Sequence, residues 1–485
     1  MIRRIILGLS CLSLASCEVG PNYKRPDQEM PTTYKSATTQ ESPRPQLSRQ
    51  WWRLFGDESL DSLEQSALAY NTDIRAAMAR VTEARAAAQI TGSDLFPTVT
   101  LDPSIQRSRA PSNFNNGTNA SGGAGGRTNT IIHVPFDLTY EIDIWGRIRR
   151  SVEAANATAH ASEDDYQLVM QTVEADVAED YFTIRSLIAQ EKILERNVQS
   201  FRTQLELTQK QLRAGLLGPT DEYQADAQLE ATISQEVETR RQRVDLEHAL
   251  AILLGRAPSE FDLITTSLDL TPPTIPAGLP ADLLRRRPDV AEAEQNLVAA
   301  NAQIGEAQAL FFPTINLSGS AGFESIDVTH SLDWENRIWS IGANAAQPIF
   351  EGGRLTAGLN QVKARYEELN ATYRGSVLGA IRDVEDSLTD LHLRADEAVA
   401  QGKAVHSSRE YVRLSDLQYR QGLVSYLQVI DAERTLLQNE LTAAQILNER
   451  MTSTVLLMKA LGGGWDAEHP NQPTTEPVNH DKVTR

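Results

Sequence analysis

Residues 205–226 read LELTQKQLRAGLLGPTDEYQAD, and residues 412–433 read VRLSDLQYRQGLVSYLQVIDAE. Leu207, Gln211, Arg213, Gly215 and Leu216 of the first stretch return 207 positions later as Leu414, Gln418, Arg420, Gly422 and Leu423. The same shift carries Gly146-Arg147 onto Gly353-Arg354 and Leu254-Gly255 onto Leu461-Gly462, so the copies at 146–255 and 353–462 align without an insertion. Inside the first copy Met170, Val177, Ile184, Glu191, Val198, Leu205 and Leu212 form a seam of period seven. A second seam, three residues on, holds Val173, Leu187, Leu194 and Phe201, with Asp180 and Thr208 as exceptions. Such a repeat is the pattern of a coiled coil. The first seam recurs as Val377, Val384, Leu391, Ala398, Val405, Val412 and Tyr419, and two copies in one phase are expected to pack alike. No proline lies between residues 146 and 214. At about 1.5 Å per residue one unbroken helix there would reach roughly 100 Å, longer than a compact domain.

Working outward, the chain opens with Met1-Ile2-Arg3-Arg4, an apolar run from Ile5 to Leu14, and then Ala15-Ser16-Cys17. A positive start, a short apolar stretch and small residues describe a secretory signal over 1–16. The run is too short to stay across a bilayer. Leu-Ala-Ser-Cys resembles a bacterial lipobox, which implies cleavage before Cys17 and lipid on its sulfur and new amino terminus. Cys11 is the other cysteine and falls inside the signal. The mature chain therefore keeps no thiol for a disulfide or a metal site, although it is exported. No cofactor is expected beyond the covalent lipid on Cys17. The full chain carries a net charge of −19, and loss of Arg3 and Arg4 makes it more acidic, which disfavours nucleic acid as a partner. No later apolar run approaches the length of a membrane helix, so strands must make any crossing.

Residues 17–50 contain prolines at 21, 26, 31, 43 and 45 and read as an extended tether. Trp51-Trp52 marks the entry into folded protein, as a core pair rather than a ligand platform. A first structural repeat covers 51–270, with helices at 58–70 and 72–93, strands at 98–108 and 130–144, and the hairpin 146–255. Ile132, Val134, Phe136, Leu138, Tyr140, Ile142 and Ile144 alternate with more polar residues, the period of a strand with one apolar face. Between the strands, Pro111–Asn129 is a Gly-, Asn- and Ser-rich loop. Its Gly122–Gly126 run lacks the Lys-Ser/Thr of a phosphate cradle.

A Pro-rich bridge, Leu270–Pro280, leads to a second repeat over 271–462. There Asp73, Ala77, Ala84, Phe96, Pro97 and Thr98 return as Asp289, Ala293, Ala300, Phe312, Pro313 and Thr314, at a shift of 216. The repeat predicts a helix at 288–309, strands at 314–324 and 338–347, and the hairpin 353–462. The difference between the two shifts falls in the loop between strands, where length is tolerated best. Residues 463–485 read as a disordered tail. The fold class is thus mainly α with a small membrane β part: internally duplicated coiled-coil hairpins plus four strands per chain. Membrane barrels of one chain start at about eight strands, and an unclosed sheet in lipid would leave edges unpaired. Four strands therefore require partners.

The segments Cys17-Glu-Val-Gly-Pro-Asn-Tyr-Lys-Arg-Pro26, Trp51-Trp52 with Phe55-Gly56-Asp57, both Phe-Pro-Thr turns, Trp145-Gly146-Arg147, Arg287-Pro288-Asp289-Val290 and both Gly-Leu tips resemble the TolC-like outer-membrane efflux proteins. They are most similar to the lipid-anchored branch, the outer-membrane factors of resistance-nodulation-division pumps. The resemblance covers nearly the whole mature chain. It implies a homotrimer whose strands close one β-barrel in outer-membrane lipid and whose hairpins form a periplasmic α-helical tunnel. It also implies passive conduction, with an inner-membrane resistance-nodulation-division transporter supplying energy and a periplasmic adaptor docking on the hairpin tips. Glu18 after the lipidated cysteine is consistent with sorting to the outer membrane.

At the tips, Gly215 and Gly422 suit left-handed helix caps, and Arg213 and Arg420 suit the carbonyl end of the helix dipole. Caps do not explain Leu216 and Leu423, which fit a docking surface. Of the returning helices, the first starts at Gly218 with Pro219 and Asp221, while Ser425 and Gln428 have the spacing of a capping box. One turn deeper, Asp431 matches the family's constriction aspartate, and a ring of three would narrow the duct and favour cations. A second acid and a nearby arginine found in some relatives are replaced here by Gln428 and Val424, which leaves Tyr419 as the neighbouring gate residue.

An enzyme is disfavoured, because the eight histidines are scattered and neither His-Glu-x-x-His nor Gly-x-Ser-x-Gly occurs. Arg285-Arg286-Arg287-Pro288 reads as a solvated helix start beside acidic neighbours rather than an anion site. Two other readings remain, an outlet for type I protein secretion and a structural periplasmic coiled-coil lipoprotein. Dense methionine or histidine ladders that would point to copper or zinc cargo are missing.

Overall fold

The computed structural model describes residues 18–28, 30–35, 48–109, 128–268, 270–273, 275 and 286–465. The signal, Cys17, parts of the tether and bridge, most of the Gly-rich loop and the chain beyond 465 lie outside them. Seven helices are labelled in chain order: α1 Glu58–Tyr70, α2 Thr72–Ser93, α3 Arg147–Arg213, α4 Pro219–Leu253, α5 Pro288–Ala309, α6 Arg354–Arg420 and α7 Tyr426–Ala460. The strands are β1 Thr98–Leu101, β2 Ser104–Arg109, β3 Thr128–Ile142, β4 Thr314–Ser325 and β5 Arg337–Ala346. The duplication is kept to the residue: α3 and α6 have 67 residues each, α4 and α7 have 35, and α2 and α5 have 22. The chain divides into two compact units, Met1–Pro26, Thr82–Ala161 and Glu294–Thr372 in one, and Asp27–Val81, Ser162–Ala293 and Tyr373–Arg485 in the other.

The first unit holds the sheet, ordered β1-β3-β4-β5 with β2 also on β3, and every pairing is antiparallel. The expected strand 98–108 is broken in two at Asp102-Pro103, because proline has no N–H for the ladder. Both pieces still pair with β3, at Val99↔Leu138 and Ile105↔Ile132. Pairing sorts the side chains by face. Leu101, Phe136, Ala321 and Trp339 lie in one row, and Leu138, Gly319 and Ile341 in the next. These large side chains are exposed, Ile341 at 83%. The alternate rows, Asp137-Ser320-Ser340 and Glu141-Asn316-Asn344, are polar. One face is therefore built for hydrocarbon and the other for water.

Where β3 turns into α3, the Asp143 carboxylate accepts from the N–H groups of Ile148 (3.2 Å) and Arg149 (2.9 Å), a favourable place for an acid. Trp145 stacks on Phe312 at 4.8 Å and donates to the Pro313 carbonyl at 2.9 Å. The tether is docked here rather than free. Val19 N–H donates to Trp145 O (3.1 Å), Asn301 reaches Pro21 O (2.8 Å), and Arg25 pairs with Glu294 (2.7 Å).

The second unit holds most of the helical packing. Trp51 and Trp52 are buried, as expected of a core pair, with their indole nitrogens donating to Glu174 and Asp61. Asp57 caps α1 through Ser59 N–H and Leu60 N–H, accepts from Tyr181, and pairs with Arg185. Arg185 also donates to Thr266 O and Ser267 O, tying the segment after α4 to α3.

The two copies pack much alike, as expected. The first seam is buried at Val177, Ile184 and Val198 in α3 and at Val377 and Val384 in α6, and its other members are half-buried in both. The second seam is buried at Val173, Leu187, Leu194, Phe201 and Thr208 in α3 and at Ala380, Ser387, Ser408 and Ser415 in α6. Helix α3 touches α4 through Glu191–Arg243 and α7 through Arg196–Glu440 and Asn448–Thr183. Helix α6 meets α7 through Gln401–Asn439, Asn439–Ser408 and Arg409–Glu440.

Both returning helices end on the same contact. Gly255 and Gly462 adopt φ of +67° and +94°, and a Cβ there would collide with the carbonyl oxygens of Tyr70 and Arg286, which are repeat equivalents. The next residues are equivalent too: Asn71 donates to Leu253 O at 2.8 Å, and Arg287 to Ala460 O at 3.4 Å. Arg287 also pairs with Asp289 and Asp383 and its side chain is 12% exposed, so the solvated helix start expected there is instead a buried ion-pair node. The tail starts later than residue 463, since Trp465 is buried and its N–H donates to Gly462 O at 2.9 Å. Gly462→Ala is expected to lower the thermal midpoint more than any Ala substitution at an exposed helical glycine such as Gly402. The left-handed backbone alone costs about 1–2 kcal/mol, before the collision is counted.

Glu64 on α1 is fully buried and neither carboxyl oxygen has a hydrogen-bond partner. Burial, then the charges of Glu174 and Asp61, raise its pKa well above the ordinary 4.5. Burial likewise pushes Glu174 up to about 8, against the Trp51 hydrogen bond. Both hold protons more tightly folded than unfolded, so their contribution is complete below the unfolded value and is lost as pH rises through the folded one. Glu64→Leu is therefore expected to stabilise the protein by about 1–3 kcal/mol. The gain in thermal midpoint is expected to be larger in alkaline than in mildly acidic buffer.

Candidate gate and docking tips

Each tip is closed by backbone alone. Leu216 N–H donates to Gln211 O (3.0 Å) and Gly215 N–H to Leu212 O (2.9 Å); Leu423 and Gly422 repeat the pair on Gln418 O and Tyr419 O, both at 2.9 Å. With φ of +73° at Gly215 and +72° at Gly422, these are Schellman caps. Such a cap commonly sets an apolar residue after the glycine against one at the helix end. Here the partner positions are Gln211 and Gln418, and Leu216 and Leu423 stay 73% and 69% exposed. The arginines differ: Arg213 donates to Gln209 O at 3.2 Å, whereas Arg420 pairs with Asp416 at 2.9 Å.

The returning helices also start differently. Gly218 precedes Pro219, and the Asp221 carboxylate accepts from Gly218 N–H at 3.2 Å, as expected. The expected Ser425–Gln428 capping box is not formed. Ser425 holds the N-cap backbone conformation with no side-chain hydrogen bond, and Gln428 N–H goes to Ser425 O. A neutral amide gains less from the helix terminus than the carboxylate of Asp221.

Asp431 faces solvent on α7, and its carbonyl accepts from the Thr435 hydroxyl at 2.8 Å. Tyr419 instead donates to Gln211 Oε1 at 3.0 Å and packs against Tyr426 at 5.6 Å. Among the described residues no hydrogen bond joins Asp431 to Tyr419. What the sequence reading missed is a seam on α7: Tyr426, Glu433 and Glu440, at steps of seven, each face α3. Tyr426 is buried beside Gln204 and Thr208, Glu433 lies half-buried beside Ser200, and Glu440 is buried between Arg196 and Arg409. Burial, then Asp416, pushes the Glu433 carboxyl up to about 7, with the Ser200 hydrogen bond opposing. The period of seven was the available signal, but it was followed through the apolar residues only.

An aspartate that needs no partner within its own chain is free to face an axis. Asp431→Ala is expected to raise ion leakage through the isolated assembly in a planar bilayer, and unchanged conductance would remove Asp431 from the gate.

Cys17 lies outside the described residues, so the lipid site rests on its sequence. A family model of outer membrane efflux proteins matches residues 63–256 and 279–463, one stretch in each repeat. The probable efflux pump outer membrane protein TtgC of Pseudomonas putida is 31% identical over 470 residues, 95% of each chain. The pyoverdine export outer membrane protein OpmQ of Pseudomonas aeruginosa is 32% identical over 96% of this chain and 98% of its own. Among solved structures, the outer-membrane channel OprN superposes with a TM-score of 0.86 at 30% identity, covering 93% of this chain and all of that one.

Proposed function

We propose that this chain, which belongs to the outer membrane efflux protein family, assembles as a homotrimer into the exit duct of a tripartite efflux pump. The observation that carries the trimer is the open sheet. Its apolar face is exposed, yet among the described residues no strand pairs the outer edges of β1 and β2 on one side or of β5 on the other. In hydrocarbon the ladder groups of those edges must be paired, and pairing β5 of one copy with β1 and β2 of the next satisfies them. The helices repeat the argument: exposed apolar residues mark α4, at Val237 and Ile252, and α6, at Leu378, Leu393 and Val399. These are the faces that a neighbouring copy would cover.

In this assembly the polar sheet face lines the barrel and the hairpins build the periplasmic tunnel. Conduction is passive. Energy comes from an inner-membrane transporter of the resistance-nodulation-division type, and a periplasmic adaptor grips the tips through Leu216 and Leu423, with Arg213 and Arg420 alongside. Lipid on Cys17 anchors the chain, and the docking of Val19 on Trp145 at the strand-to-helix junction holds the lipidated end beside the membrane part. Asp431 narrows the closed end. Names of relatives that refer to efflux pumps and to pyoverdine export favour small molecules as cargo over secreted proteins.

The test is the purified, lipidated protein in mild detergent. A trimer that forms pores in a planar bilayer is expected, and a monomer without pores would refute the duct. The docking role is checked by Leu216→Asp with Leu423→Asp: drug susceptibility of the cells is expected to rise to that of a deletion strain, with trimer yield and pore formation unchanged.

A further inference from the structure

We propose that Glu433 is a pH-responsive element of the constriction: it packs as the neutral acid when the tips are closed, and its ionisation loosens them. This rests on the duct reading above. Glu433 lies on α7, two residues beyond Asp431 and one heptad beyond Tyr426. Its Oε2 is buried and has no hydrogen-bond partner.

The groups facing it leave an anion uncompensated. From α6 comes Asp416, whose ion pair with Arg420 at 2.9 Å commits that guanidinium elsewhere. From α3 comes the uncharged Ser200, and the arginine one turn away, Arg196, is taken by Glu440. Helix α4 brings the apolar Ala225, Leu229 and Ile233 to this part of the core. On its own helix the Tyr426 hydroxyl is itself pushed up by burial and then by Glu433, while Asp431 faces solvent. A buried carboxylate without a cation is strongly disfavoured, and the site responds by keeping the proton.

The direction of the response follows from linkage. In the packing of this structure Glu433 holds its proton up to about pH 7. In an opened tip, with water at the carboxyl, it would release it near the ordinary value of about 4.3. Raising the pH between those limits favours the open form, by at most about tenfold per pH unit for each proton released. Acidification closes the tip. Glu440, one heptad deeper, is buried too but sits between Arg196 and Arg409. It therefore has the cations that Glu433 lacks.

The experiment records single-channel conductance of the full-length lipidated protein in a planar bilayer while the periplasmic side is scanned from about pH 5 to 8. Open probability is expected to rise with pH in the wild type, and Glu433→Gln is expected to stay low and flat. Two variants must move the midpoint in opposite senses. Asp416→Asn removes a neighbouring anion and frees Arg420, shifting the midpoint to lower pH; Ser200→Ala removes a donor to the carboxylate, shifting it to higher pH. A Glu433→Gln profile that copies the wild type, or shifts of one sign in both neighbours, would overturn the proposal. Pores insensitive to pH would overturn it and leave the duct standing, whereas absence of pores at every pH would overturn both.

Discussion

Backbone hydrogen bonding in hydrocarbon is the constraint on which the rest depends. Water can satisfy a free strand edge, but lipid cannot, and each unpaired group there costs several kcal/mol. A sheet ordered β1-β3-β4-β5, apolar on one face and polar on the other, is stable in a membrane only when its edges are closed by other copies. On the assembly proposed above, trimerisation is thus part of folding for this chain. The exposed apolar residues of α6, Leu378, Leu393 and Val399, carry the same requirement into the helical part.

Much of this was legible in the residues. The shift of 207 between Gly215 and Gly422 reproduced both long hairpins, and the shift of 216 between Asp73 and Asp289 placed α5 to the residue. Alternation in Ile132–Ile142 assigned the faces of β3. Repeats and periods report geometry that every residue in an element shares. The departures concern properties of single sites. Pro103 broke a strand whose alternation ran on across it. Ser425 had the spacing for a capping box, but spacing does not orient a hydroxyl. Arg287 stood in a run of arginines, and only the fold brought Asp383 to it. Glu433 gave one faint signal, its heptad step from Tyr426, because a lone glutamate on a long helix ordinarily faces water.

The duplication also separates what the fold needs from what it tolerates. Gly255 and Gly462 meet equivalent carbonyls in both copies, because only a residue without Cβ fits. The neighbour that caps the returning helix has diverged. Asn71 uses its amide and also starts α2, accepting from Asp73 N–H and Ile74 N–H, while Arg287 adds two carboxylates to the same task. Backbone collisions are thus retained across the copies, and side-chain chemistry at one position has been exchanged.

The Schellman caps at the tips have a consequence for how such a protein can change. Their shape is held by a glycine and two main-chain bonds, while the side chain of the leucine that follows contributes nothing to the turn. Its identity can therefore drift without a folding penalty, and the two copies can drift separately. On the docking role proposed for these leucines, a lineage could re-key the apparatus to a different periplasmic collar by altering two codons, leaving the cylinder behind them untouched.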